Sequence, residues 1–176
     1  MTVAYSGAEG AFAHEACLRF VPRHEPIALP TFSDVVDAVE SGSVDLGMLP
    51  IANNAAGETG ARELVEKAGL VTVEEHSLPV RMHLLGMPSA KLEQIRTVVS
   101  HPVALLQCTQ TLSEMGVRTE ETSNTAVAAK MLTNPDRGVL ASKAAADLYG
   151  LTILRRDVHD RPDNATRFAI VARGER

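Results

Sequence analysis

Short apolar runs that alternate with stretches of helical periodicity constrain this chain more than any other feature. A brief apolar run closed by Gly, Pro or a capping residue reads as a strand, and the 3.6-spaced apolar pattern between such runs reads as the helix that covers it. Residues 2–5, 27–29, 44–49 and 70–75 read as strands in the first part of the chain, with Pro30 closing the second and Pro50 stopping the third. Helices are expected over 14–20, over 33–40 and in a segment ending near Ala68. Thr31 and Asp34 have the spacing of a capping box at the start of the second of these. Near Pro79 the pattern changes lobe: strands follow at 80–87, 97–99, 117–121, 139–141, 151–155 and 166–172. Ser100 is expected to cap a helix that carries Pro102 in its first turn and runs to about Met115. Further helices are expected at 126–132 and at 143–149, the latter ended by Gly150, and the polar segment 157–165 is a connection. The class is α/β, sheets covered by helices.

Composition narrows the core and the partners. Aromatic residues make up 3% of the 176 positions and Trp is absent, so the core is built from Val, Leu, Ala, Ile and Met. Apolar residues at 45% and charged residues at 22% are ordinary for a globular protein. The net charge of -5 argues against a nucleic-acid binder or an anionic-membrane binder, while leaving room for a locally positive cleft. Cys17 and Cys108 show no CxxC spacing and read as buried small residues in a reducing compartment. The six histidines form no HxxxH or HxH pattern, so no metal is expected. The first residues carry no basic-then-apolar leader, and the chain is expected to be cytoplasmic, away from any membrane.

Three kinds of motif could carry chemistry. Gly7-Ala8-Glu9-Gly10 follows the first strand and either turns the chain tightly or offers N–H groups to an anion. It lacks the third glycine of a dinucleotide fingerprint, so no cofactor is expected there, and no GxSxG or Walker element is present. Ser100, Ser123 with Thr125, and Ser142 each stand where a strand becomes a helix. They serve either as plain caps or as hydroxyl and N–H donors for carboxylates. Thr166-Arg167-Phe168 opens the last strand, and Arg167 either grips a carboxylate through its guanidinium fork or pairs with Asp160 or Asp163.

Six blocks together resemble prephenate dehydratases: VAYSGAEGAFAHEA, DVVDAVESGSVDLGMLPIANN, SHPVALLQC, SNTAVAAKM, GVLASKAAADLYGL and DNATRF occur in the family's order over nearly the whole chain. The resemblance implies a two-lobed fold like type II periplasmic binding proteins, with the active site in the interlobe cleft. Lobe one would span about 1–78 and 159–176, and lobe two about 79–158. It implies conversion of prephenate to phenylpyruvate with loss of water and carbon dioxide, without cofactor or metal, in a homodimer or homotetramer. By the same resemblance Thr166 assists departure of the ring hydroxyl, and Gln107 and Asn53 belong to the catalytic set. Ser100, Arg167, Ser123, Thr125, Asn54 and Arg81 would bind the small anionic ring substrate.

Some positions depart from the family pattern. Its Pro-Ile-Glu-Asn-Ser reads Pro50-Ile51-Ala52-Asn53-Asn54 here, so its pocket glutamate is missing, and its Gly-Ser-Val reads Gly57-Glu58-Thr59. The Gly-Thr-Phe of the first turn reads Gly10-Ala11-Phe12, and a paired-histidine stretch reads Arg81-Met82-His83. Loss of a carboxylate and gain of a cation would change which substrate the pocket favours. A related dehydrating or ring-closing enzyme of specialised metabolism, as in tropone and tropodithietic acid formation, and a non-catalytic bilobal binding module are the alternatives. Relatives that continue into an ACT domain bind phenylalanine there; the sequence shows no such domain, so feedback through one is not expected.

Overall fold

The computed structural model describes residues 1–174, which fold into two compact units. The first holds Met1–Ala8, Phe12–Pro79 and the strand from Ala165 onward; the second holds Glu9–Ala11 and Val80–Asn164. Residues 159–164, expected with lobe one, belong to the second unit. There the N–H of Asp160 donates to the carbonyl of Gln107 at 2.7 Å and that of Val80 to the carbonyl of Asn164 at 2.8 Å.

In the first unit β1 (Thr2–Ser6), α1 (Phe12–Phe20), β2 (Glu25–Leu29), α2 (Phe32–Ser41), β3 (Leu46–Asn53), β4 (Gly57–Glu58), α3 (Ala61–Lys67) and β5 (Leu70–Pro79) follow in order. The sheet is completed by the last strand of the chain, Ala165–Arg173, called β11 below. Its order is β2-β1-β3-β11-β5, with β4 paired to the end of β3. β1 runs parallel to β2 and β3, whereas β11 lies antiparallel between β3 and β5. The alternation of β-strand side chains sends two core clusters to the two faces. Leu49, Ile51, Ala169 and Val171 pack with Val35 and Val39 of α2 and Val65 of α3. Val3, Tyr5, Met48, Leu78, Phe168 and Ile170 pack with Ala13, Ala16 and Cys17 of α1.

The capping box forms as the spacing of Thr31 and Asp34 requires: the Asp34 N–H donates to Thr31 Oγ1 at 3.1 Å, and the Thr31 N–H to Asp34 Oδ2 at 3.0 Å. Pro50, in contrast, does not stop β3, which runs on to Asn53. The ladder between β3 and β11 shifts register just there, pairing Phe168 with Pro50 and Arg167 with Ala52. β1 pairs with β3 only as far as Met48, so the missing N–H of proline falls at an irregularity where it interrupts little.

The second unit contains β6 (His83–Gly86), β7 (Thr97–Ser100), α4 (Pro102–Leu106), α5 (Thr109–Met115), β8 (Arg118–Glu121), α6 (Thr125–Lys130), β9 (Arg137–Ala141), α7 (Lys143–Tyr149) and β10 (Thr152–Arg155). Its sheet has the order β10-β6-β9-β7-β8, with β7 parallel to both its neighbours and β6 antiparallel to both of its own. Leu85, Val139 and Ala141 pack under Ala128 and Ala129 of α6 and Ala145 and Ala146 of α7. The helix expected from 100 to about 115 is two helices, broken at Gln107 and Cys108. Asp160 makes the break: its carboxylate accepts from the N–H groups of Thr109 and Gln110, each at 3.0 Å, and from the Thr109 hydroxyl at 2.6 Å. That carboxylate caps α5 from a distant part of the chain.

Both cysteines are buried and unpaired, and burial pushes each thiol up to about 12. Among the described residues no helix is long and apolar enough to cross a membrane.

Gly47 shows how closely α2 lies on the first sheet. A Cβ there would stand 2.9 Å from Cγ2 of Val171 and 3.1 Å from methyl carbons of Val35 and Val39. All three neighbours are β-branched side chains with little rotamer freedom. Gly47→Ala is expected to destabilise the protein by about 1–3 kcal/mol through overpacking, read as a lowered urea midpoint at unchanged slope.

Candidate active site

The end of β3 and the start of β11 bring two of the expected catalytic residues together. Thr166 pairs in register with Asn53, and Asn53 in turn pairs with Gly57 of β4. Between Asn53 and Gly57 the chain reverses, and Gly57, at φ 81°, supplies the left-handed backbone that the reversal needs. This turn also fixes the Asn53 amide. Its Oδ1 accepts from the N–H of Ala55 at 2.8 Å and of Ala56 at 3.0 Å. An oxygen held by two donors leaves the NH2 end facing the other way, so Nδ2 donates to Thr166 Oγ1 at 2.9 Å. Thr166 therefore accepts from Asn53, and its own proton points away from the amide. Donation into a hydroxyl oxygen makes that hydroxyl a stronger donor in turn.

Neighbouring candidates do other work. Asn54 donates its backbone N–H to Ala165 at 3.0 Å, which prolongs the β3–β11 pairing, and its residue is exposed. Arg167 alternates with Thr166 along β11 and lies on the other face of the sheet. Its guanidinium stands 3.9 Å from Glu58 Oε1 and 3.7 Å from Glu75 Oε2. Neither Asp160 nor Asp163 takes it: Asp160 caps α5, and Asp163 pairs with Arg161 at 2.9 Å. Phe168, on the Thr166 face, is core.

In the second unit Gln107 ends α4 and is buried, as is Asn164, whose Nδ2 donates to Gln107 Oε1 at 3.1 Å. With its oxygen so engaged, Gln107 has its NH2 as the donor end. Ser100 is not a cap. It is the last residue of β7, fully buried, and its hydroxyl donates to the carbonyl of Leu140 at 2.9 Å. His101 caps α4 instead, its Nδ1 accepting from Val103 at 3.2 Å. Neither Ser123 nor Thr125 caps α6; Asn124 does, accepting from Ala126 at 2.8 Å and Val127 at 3.3 Å. Ser142 caps α7 as expected, and its hydroxyl also donates to Gly10 at 2.9 Å. The Gly7–Gly10 turn thus carries a carbonyl to Ser142, while the Tyr149 hydroxyl donates to that of Glu9. Arg81 is 72% exposed and stands 3.4 Å from Asp157.

Sequence reasoning missed Asn164, which sits inside the DNATRF block two positions before Thr166 and is buried to 3% exposure. A buried asparagine needs partners for four hydrogen-bonding sites, and that demand was the available signal. The caps at His101 and Asn124 were missed because a serine beside each competed for the role.

The family model for prephenate dehydratase matches residues 3–176, and the chain belongs to that family. The chain is 37% identical to arogenate dehydratase/prephenate dehydratase 1 of Arabidopsis thaliana, over 97% of its own length and 45% of that protein. It is also 37% identical to a bifunctional N-acyl-homoserine lactone acylase/prephenate dehydratase of Komagataeibacter europaeus, over 97% of this chain and 62% of that one. The chain therefore spans about half the length of the curated relatives it matches. Among solved structures, prephenate dehydratase from Arthrobacter aurescens superposes with TM-score 0.88 at 24% identity, over all of this chain and 61% of that one. A periplasmic substrate-binding protein of Coxiella burnetii superposes with TM-score 0.54 at 14% identity, over 98% and 84%, which extends the likeness at the level of fold to periplasmic binding proteins.

Two histidines of the second unit are held neutral. Burial pushes His83 below its ordinary range, against the pull of the Asp157 carboxylate, and burial does the same to His101 against Glu121. Each Nδ1 accepts a backbone N–H, from Asp157 at 3.0 Å and from Val103 at 3.2 Å, a bond that protonation removes. The unfolded chain then takes up protons first as pH falls. Stability is full above about 6.5 and is lost as pH drops from there toward the lower folded values. The urea midpoint is expected to fall between pH 7.5 and 5.5. His83→Asn with His101→Asn, which keep an acceptor but do not titrate, are expected to flatten that fall; an undiminished slope would place its origin elsewhere.

Proposed function

We propose that the protein is a prephenate dehydratase-type carbon–oxygen lyase, converting prephenate to phenylpyruvate. The observation that carries this reading is the direction of the Asn53–Thr166 hydrogen bond, with the amide donating to Oγ1. In the reaction the ring carboxylate leaves as carbon dioxide, and its electron pair completes the aromatic ring. The ring C–O bond breaks at the other side and the departing oxygen takes a proton to become water. Aromatisation drives the sequence, so the protein needs to supply a well-aimed donor rather than a strong acid. Thr166 fits that need: polarised by Asn53, its hydroxyl hydrogen-bonds to the leaving oxygen, passes its proton as the bond breaks and regains one from solvent. Family membership supports a lyase of this kind, and the names of relatives make arogenate a second substrate to test.

The purified protein is expected to form phenylpyruvate from prephenate well above the buffer rate, or phenylalanine from arogenate. Thr166→Ala should lower kcat by about 10²–10⁴-fold, the range typical for loss of a positioned proton donor, while Thr166→Ser keeps much of it. Asn53→Asp, which turns the donor at Thr166 into an acceptor, should also lower kcat with little change in KM. Turnover of the Thr166→Ala variant at the wild-type rate would remove the assigned role.

A further inference from the structure

The row of residues beside the Asn53–Thr166 pair holds a second arrangement that no family block predicts. Glu58, Ala52, Arg167 and Ser77 stand opposite one another across β4, β3, β11 and β5. Side chains in such a row share one face of the sheet. Arg167 reaches over Ala52, one strand away, to bring its guanidinium within 3.9 Å of Glu58 on the strand beyond. Alanine at 52 leaves that path open. On the other side Glu75 lies 3.7 Å from Arg167, but its other oxygen already bonds Arg62 at 3.0 Å. The sequence carries alanine where the family pattern has glutamate at 52, and glutamate where that pattern has serine at 58. The register shows these two positions to be direct cross-strand neighbours.

We propose that Glu58 and Arg167 form a positioning pair, in which β4 supplies the carboxylate that the family pattern carries on β3. The pair holds the guanidinium across β3 and steadies the first residues of β11, beside Thr166, within the register that the apolar residues farther along the strand set. Arg167 is a positioning residue and not a substrate ligand, since it lies on the face opposite Thr166. Both partners are about half exposed or more, at 49% and 65%, and stand farther apart than a charge-assisted hydrogen bond. Exposed pairs of this kind contribute little to global stability. The effect therefore falls on the local geometry of Thr166 and not on the melting temperature.

The kinetic half of the test rests on the dehydratase reading; the spectroscopic half does not. In the full chain Glu58→Ser, with Glu58→Gln as a second variant, is expected to lower kcat on prephenate by about fivefold, roughly 1 kcal/mol of barrier. KM should stay within about twofold and Tm should be nearly unchanged. The side-chain amide NMR signals of Asn53 should shift in the same variants. Ala52→Glu in the Glu58→Ser background, which returns a carboxylate to the row one strand nearer, should restore both kcat and the Asn53 signals; Ala52→Leu in that background should restore neither. Wild-type kcat and unmoved Asn53 signals in both Glu58 variants would overturn the pairing, as would a failure of Ala52→Glu to rescue. If the wild-type protein turns over no prephenate, the dehydratase reading fails by itself. The Asn53 signals alone then decide for or against the pair.

Discussion

The insertion of β11 between β3 and β5 is the constraint on which the first unit and its chemistry depend. This strand comes from the far end of the chain and pairs antiparallel on both sides, burying Phe168 and Ile170 on one face and Ala169 and Val171 on the other. Strand alternation then settles the fate of its first residues without further choice. Thr166 shares a face with Phe168 and meets Asn53; Arg167 shares a face with Ala169 and meets Glu58 and Glu75. A slip of one residue would exchange the two, putting a guanidinium where the hydroxyl stands. The apolar residues farther along β11 resist that slip, because it would carry Phe168 and Ile170 away from α1. Core packing thus sets the position of a polar pair at the strand's edge.

Hydrogen-bond direction is the next dependent step. An asparagine can present either end of its amide, and only one end makes Thr166 a better donor. The turn after Asn53 decides between them, since two backbone N–H groups converge on Oδ1. A similar device operates in the second unit, where Asn164 engages Gln107 Oε1 and leaves the NH2 end of that glutamine as its donor. In both cases a side-chain amide is oriented by a partner that occupies its oxygen.

Local chemistry was legible in the sequence where one short segment decides the outcome and no neighbouring residue competes for the role, as serines did beside His101 and Asn124. Thr31 and Asp34 form their capping box because both partners lie within a single turn, and α7 keeps the bounds that Ser142 and Gly150 mark. The alternation of apolar runs and helical patterns gave the α/β class, and the ordered blocks pointed to the family. Where a distant residue decides, the reading failed. Asp160 splits a helix fifty positions away in the chain, which no local pattern between Pro102 and Met115 reveals. Pro50 passes through a strand because the ladder slips beside it, a property of β11 as much as of β3. Ser100 loses its expected cap role because the strand continues through it and its hydroxyl finds Leu140 on the neighbouring strand. The missing glutamate at 52 looked like a lost charge in one dimension; the sheet register makes Glu58 its neighbour.

Under the proposed lyase reading, the partners of the hydroxyls bear on which groups could take part in the chemistry. Ser100 and Ser142 donate to backbone carbonyls, and Thr109 donates to the Asp160 carboxylate. Each of those donors holds the fold together. Of the residues expected to be catalytic, Asn53 has an oriented amide and polarises the Thr166 hydroxyl in the first unit, and Gln107 has an oriented amide in the second. None of these is a strong acid or base near neutral pH, and both thiols are protonated there. Such a set suits a reaction whose driving force lies in the substrate, where alignment and hydrogen-bond donation to a departing oxygen suffice. It is a poor set for a reaction that must generate a strong nucleophile, which needs a base with a pKa near the working pH beside the attacking atom. That is the physical ground for the proposed lyase reading: a ring whose aromatisation pulls water and carbon dioxide away asks of such side chains only alignment and a donated hydrogen bond.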